Sequence, residues 1–146
     1  MVLTARDIMD TQVVTVDGDQ DVQSCSRLLT ERRKGYAVVL GAQQQLAGIV
    51  TEWDFLSKVI AVGADAKSLH VREIATPIVR SCTPETPAED VVELMVKEGI
   101  RRIVVLSGAK VVGIITSRDV LVMFRQYVDK LSAQIAGYHS DPAPLG

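Results

Sequence analysis

The sequence predicts an α+β fold built from two similar halves that pack through their sheets into one module. Three observations carry this reading. First, residues 8–40 align with 74–106 at an offset of 66, so that Ile8, Val13, Leu28, Val38, Val39 and Leu40 meet Ile74, Val79, Leu94, Val104, Val105 and Leu106. After one deletion near Gly41 the offset becomes 65, and Gly48, Ile49, Thr51, Asp54 and Leu56 meet Gly113, Ile114, Thr116, Asp119 and Leu121. Unrelated chains of average composition match at roughly one position in sixteen, and this exceeds that. Second, the order of element types repeats with the identities, as β-α-β-β-α. Third, the 146 residues are 47% hydrophobic but only 4% aromatic, which calls for a tightly packed aliphatic core. A unit of about 55 residues is marginal alone, and two sharing a sheet face bury far more.

In the first unit, Val13–Val16 is a short β-branched strand. Asp19 is placed to cap a helix that carries Val22, Cys25, Leu28 and Leu29 on one face. Ala37–Leu40 is a continuous apolar strand. Gly41–Gln45 turns the chain, and Leu46–Val50 returns. Thr51 opens a second helix, which Gly63 ends. In the second unit, Thr86-Pro87-Ala88-Glu89 reads as a capping box with proline at the first helical position. That helix runs through Val91, Val92, Met95 and Val96 to Gly99. Ile103–Leu106 and Val111–Ile115 form a hairpin. Thr116 opens the last helix, which continues through Tyr127 towards Ala136. The units are therefore 1–63 and 71–126. Residues 64–70 are a linker, and 127–146 are a helical extension with a frayed tail from about Gly137.

Charge and composition exclude several classes. Sixteen basic against eighteen acidic residues, a net charge of -2, argue against a nucleic-acid binder that relies on a basic surface. No run reaches the roughly 20 apolar residues of a membrane span. The opening MVLTARDIMD lacks the apolar core of a signal peptide, and Cys25 and Cys82 form no disulfide framework. These features fit a cytoplasmic setting. His70 and His139 lack metal-ligand spacing, so no metal site and no histidine-based catalysis is expected.

The repeated Gly-aliphatic-aliphatic-Thr-x-x-Asp segment carries the chemistry: Gly48–Asp54 in one unit and Gly113–Asp119 in the other. Each lies at a strand-to-helix junction, where unpaired amides and the positive helix end gather. A carboxylate there can accept two hydrogen bonds from a vicinal diol such as ribose. The threonine hydroxyl and nearby amides can reach a phosphate. The plainer reading is a helix cap, which duplication would retain twice.

These boxes come with the leading Arg6-Asp7-Ile8-Met9 and Arg72-Glu73-Ile74-Ala75 segments, the Ser81-Cys82-Thr83-Pro84 start, and Gly99-Ile100-Arg101-Arg102-Ile103-Val104-Val105. Together they resemble a tandem pair of cystathionine-beta-synthase (CBS) domains, a Bateman module, over residues 4–124. The resemblance implies two pseudo-symmetric clefts that bind AMP, ADP, ATP or sometimes S-adenosylmethionine, with no cofactor required. It also implies pairing into flat homodimers and regulation of a partner protein, not catalysis. It further implies that Asp54 and Asp119 receive ribose, with Thr51 and Thr116 beside ribose or phosphate. Ile100 corresponds to a base-contacting position, and Arg101, Arg102 and Arg118 to positions facing phosphate. Ile114, beside the second box, belongs to the same set. The Asp119 cleft would borrow Val13, Val14 and Thr15. The Asp54 cleft would borrow Val79, Arg80 and Ser81.

The halves differ. Gly35 and Tyr36 answer Arg101 and Arg102, and Trp53 answers Arg118. One better nucleotide site, at Asp119, and a weaker one, at Asp54, are therefore expected. Thr, Asp and Arg without an activated nucleophile, base or metal make no catalytic set. The competing reading is a ligand-free dimerisation module whose clefts are filled by Tyr36 and Trp53.

Overall fold

The structure is a computed structural model that describes residues 3–77 and 80–140. The chain runs α1 (Ala5–Ile8), β1 (Thr15–Asp17), α2 (Val22–Arg32), β2 (Tyr36–Leu40), β3 (Leu46–Thr51) and α3 (Glu52–Phe55), which continues as a π-helical turn over Leu56–Ile60. It then runs α4 (Val71–Ile74), β4 (Ser81–Cys82), α5 (Ala88–Glu98), β5 (Arg102–Ser107), β6 (Lys110–Thr116) and α6 (Ser117–Ser140). Two three-stranded sheets have the orders β1-β2-β3 and β4-β5-β6. In each, the first pair is parallel and the second antiparallel. This is the expected mixed architecture of two like halves.

Each half has its own aliphatic core. Val16, Val22, Cys25, Val39 and Val50 fill one, and Val91, Ile103, Val105 and Ile115 the other. Val38, Val104 and Ile114, all at most 1% exposed, join the two sheets in a third cluster. Strand alternation makes this possible: Val38 and Val104 face the opposite side from their neighbours in sequence.

The short helices α1 and α4 are exchanged between halves. Ala5 is buried in the core of the second half, while Val71 and Ile74 are buried in that of the first. Backbone bridges fix the exchange. Asp10 and Ile114 trade N–H···O bonds of 2.9 and 3.0 Å, and Ile49 and Thr76 trade two of 2.8 Å. The repeated glycines exist for this approach. A Cβ on Gly48 would lie 2.6 Å from the Thr76 carbonyl oxygen, and one on Gly113 would lie 2.5 Å from Met9 Sδ.

Several local expectations are corrected. Asp21, not Asp19, caps α2; its carboxylate accepts from the Ser24 amide at 2.8 Å and the Ser24 hydroxyl at 2.7 Å. Those two bonds hold the Asp21 carboxyl below the ordinary carboxylate value. Thr86 forms no capping box with Glu89: its hydroxyl accepts from the Thr83 amide at 3.0 Å, and Pro87 is the cap residue itself. The first strand begins at Thr15, not Val13. Within the 64–70 segment, Ala64, Ala66 and Leu69 pack on the first core. Gly137 and its neighbours through Ser140 continue α6 rather than fray. The remaining tail and Val79 lie outside the described residues.

Candidate functional site

At both strand-to-helix junctions the aspartate reaches back to its threonine. Asp54 Oδ2 accepts from the Thr51 amide at 2.8 Å and the Thr51 hydroxyl at 3.3 Å. Asp119 Oδ2 accepts from the Thr116 amide at 2.8 Å and the Thr116 hydroxyl at 2.9 Å. The same clamp joins Thr4 to Asp7 at the start of α1, so the clamp by itself is a helix start. What separates the two boxes is the state of the second carboxylate oxygen.

Asp54 is 4% exposed. Its Oδ1 is 2.9 Å from the Lys58 ammonium, and the Thr76 hydroxyl approaches at 3.5 Å. Lys58 Nζ also donates to the Ile74 carbonyl at 2.8 Å. The first carboxylate is therefore neutralised from within the protein. Asp119 is half-buried, and among the described residues its Oδ1 has no hydrogen-bond or ion-pair partner. Met123 stands where unit one has Lys58. Asp119 borders a cavity of about 660 Å³ between α1 and α6, with Asp7, Ile8, Met123, Tyr127 and Lys130.

The cations fall differently from the sequence assignment. Arg101 and Arg102 line a cavity of about 420 Å³ with Gly35, Thr51, Glu52 and Trp53, next to the first box. Arg102 also lies over the Tyr36 ring, 5.0 Å from its centroid. Burial raises the Tyr36 phenol above its ordinary value, reinforced by the nearby charges of Asp10 and Asp119 and opposed by Arg102. Tyr36 thus neighbours both Arg102 and Asp119. Trp53 is 69% exposed and fills neither cleft. Arg118 is exposed.

Other nominated residues disperse. The Val14 and Ile114 side chains are buried, at 8% and 0% exposure, and the Ile114 N–H and C=O are both taken by Asp10. Val13 joins the inter-sheet cluster. Thr15 borders a cavity at the hairpin-turn end with Leu40, Gln44, Ser107 and Lys110. Arg80 pairs with Glu98 of its own half at 3.1 Å, and Ser81 pairs in register with Val104. Ile100 packs against the second core. Burial raises Cys25 to about 11 and also raises Cys82, so both thiols are held in the unreactive form. No group of three or more His, Cys, Asp or Glu among the described residues could hold a metal ion.

Sequence reasoning missed Lys58 and Thr76. Lys58 had a signal, since Asp54 and Lys58 are four apart on one helical face. Thr76 had none, because it arrives from the exchanged segment.

The CBS domain pattern matches residues 5–61 and again 71–125. The chain belongs to the CBS domain family. Its two halves are the two CBS domains of one pair. It is 32% identical to the mitochondrial CBS domain-containing protein CBSX3 of Arabidopsis thaliana, over 92% of this chain and 72% of that protein. A hexameric CBS-CP12 protein from bloom-forming cyanobacteria superposes with a TM-score of 0.72 at 39% identity, over 84% of this chain and 72% of that one. The CBS domain pair of protein MJ0100, solved in complex with 5′-methylthioadenosine and S-adenosyl-L-methionine, superposes with a TM-score of 0.75. That likeness covers 87% of this chain and 99% of that one; at 23% identity it is one of fold. Among the described residues no helix is long and apolar enough to cross a membrane.

Proposed function

We propose that this CBS pair reversibly binds one adenosine nucleotide, AMP, ADP or ATP, and signals occupancy to a partner protein. The observation that supports the reading best is the contrast between the carboxylates. Asp119 keeps one oxygen unpartnered at a helix start, while Asp54 is buried against Lys58. In this reading Asp119 accepts the ribose diol, and the Thr116 hydroxyl lies beside ribose or phosphate. Arg118, beside Asp119 on the first turn of the same helix, faces phosphate, whereas Arg101 and Arg102 line the cavity beside Thr51. The Thr51/Asp54 cleft is the weaker site, because a ligand there competes with an internal cation. Self-association into a homodimer accompanies this role, and the hexameric relative supports assembly of CBS pairs.

A melting series with AMP, ADP, ATP and S-adenosylmethionine tests the proposal. A ligand that binds only the folded state stabilises it by about 2.7 kcal/mol at a hundred times its Kd. A rise with an adenosine nucleotide is expected. No rise with any of the four at millimolar concentration overturns the proposal and leaves a ligand-free dimerisation module. A rise with S-adenosylmethionine alone replaces the nucleotide by that ligand.

A further inference from the structure

We infer that α6 carries a self-association seam, which pairs antiparallel with the same seam of a second copy of this chain. Leu121, Phe124, Val128, Leu131 and Ile135 recur at spacings of three, four, three and four. This is the 3.5-residue period of a two-stranded coiled coil. All five are exposed, at 67, 62, 41, 39 and 58%. The seam is distinct from the residues by which α6 lines the α1–α6 cavity, Asp119, Val122, Met123, Gln126, Tyr127 and Lys130, of which Tyr127 flanks it. It is therefore not the face that packs on the protein's own body.

From Phe124 to Ala136 every residue of α6 is exposed. A solitary helix of that length is marginal in water, since most helical stability comes from packing an apolar face. The partner must match the 3.5-residue period, and a second copy does so by construction. The flanks select no other helix: Tyr127, Ser132 and Gln134 are uncharged, and Arg125 alone carries charge. Heterotypic coiled coils use charged flanks for partner choice. A membrane surface fits less well, because the polar face mixes Asp119 and Asp129 with Arg118 and Lys130 instead of being uniformly basic.

Antiparallel pairing places Phe124 against the second copy's Ile135 and Val128 against its Leu131. The bare end of each helix then covers the exposed Phe124 on the other body, and opposite helix dipoles lie side by side. Burying the seam in both copies removes on the order of 1,000 Å² from water, the lower bound for a specific interface.

Light scattering across micromolar concentrations, on the full chain and on Val128→Glu/Leu131→Glu, tests this. The variant is expected at half the wild-type mass, with its body melting unchanged because both positions are exposed. Equal masses overturn the seam. The outcome separates from the flat-dimer reading: with both surfaces active a tetramer falls to a dimer, and with the seam alone a dimer falls to a monomer. In a Cys82→Ser background, Phe124→Cys/Ile135→Cys should give a covalent dimer on oxidation, and Ile135→Cys alone should not. A covalent dimer from Ile135→Cys alone overturns the antiparallel register.

Discussion

Replacing Gly48 by alanine should destabilise the protein far more than the same change at Gly113, although the sequence presents them as equivalent. The new Cβ at position 48 meets backbone: the Thr76 carbonyl oxygen at 2.6 Å, its carbon at 3.3 Å and the Pro77 Cα at 3.5 Å. Thr76 cannot retreat without breaking the two 2.8 Å bonds to Ile49. Overpacking costs about 1–3 kcal/mol and each lost hydrogen bond about 1 kcal/mol. Reduced freedom of the unfolded chain returns about 0.4–1 kcal/mol. The net loss for Gly48→Ala is about 2–5 kcal/mol. At position 113 the obstacle is the Met9 side chain, with Sδ at 2.5 Å, Cγ at 2.9 Å and Cβ at 3.1 Å. Methionine repacks readily, so the net loss there is about 1 kcal/mol or less. At roughly 3–4 °C per kcal/mol for a chain of this size, the two variants should differ in Tm by several degrees. Far-UV circular dichroism is the suitable probe, because exposed Trp53 reports weakly on burial. Equal losses, or a larger loss at Gly113, would refute the exchanged-segment explanation of the repeated glycines.

Three further outcomes follow from local geometry. Lys58→Met should cost about 1–2 kcal/mol in a denaturant titration, between the values for buried and exposed ion pairs, because Asp54 is buried while the lysine side chain is 44% exposed; no loss would show that the pair does not neutralise Asp54. Asp21 contributes stability above its unfolded value of 3.8 and loses it as pH falls through its lower folded value. Asp21→Asn keeps the cap without the charge, so its stability should fall less than wild type between pH 7 and pH 3, and parallel curves would contradict this. Helix α2 ends on Arg33 at φ 53°, where α5 ends on Gly99 at φ 63°. Gly99→Ala should therefore lose about 1 kcal/mol while Arg33→Gly loses nothing, and the reverse order in chemical denaturation would refute a left-handed cap at either end.

Much of the fold was legible because its signals are local and occur twice. The β-branched runs at 37–40 and 103–106, the glycine at each strand and the Thr-x-x-Asp boxes all describe their own surroundings. The exchange of α1 and α4 was not legible. Four-residue helices are too short for a periodicity, and which core receives Ala5 or Val71 is decided by long-range bridges. The caps show the same limit. Asp19 and Asp21 are equally good cap residues, and the register of Val22 on the core chooses between them. At the site, the residue types were legible but not their equivalence. Arg101 and Arg102 follow the second unit in sequence, yet the sheet-to-sheet packing carries them beside Thr51 of the first. Asp54 and Asp119 look alike until the position four residues later is compared, where a lysine in one and a methionine in the other give one neutralised carboxylate and one open one.

Titration calorimetry of AMP and ATP into wild type, Asp119→Ala and Asp54→Ala tests the central claim most directly. The account predicts one equivalent bound by wild type, binding lost in Asp119→Ala and retained in Asp54→Ala. Two equal sites in wild type, or a greater loss in Asp54→Ala than in Asp119→Ala, would contradict it.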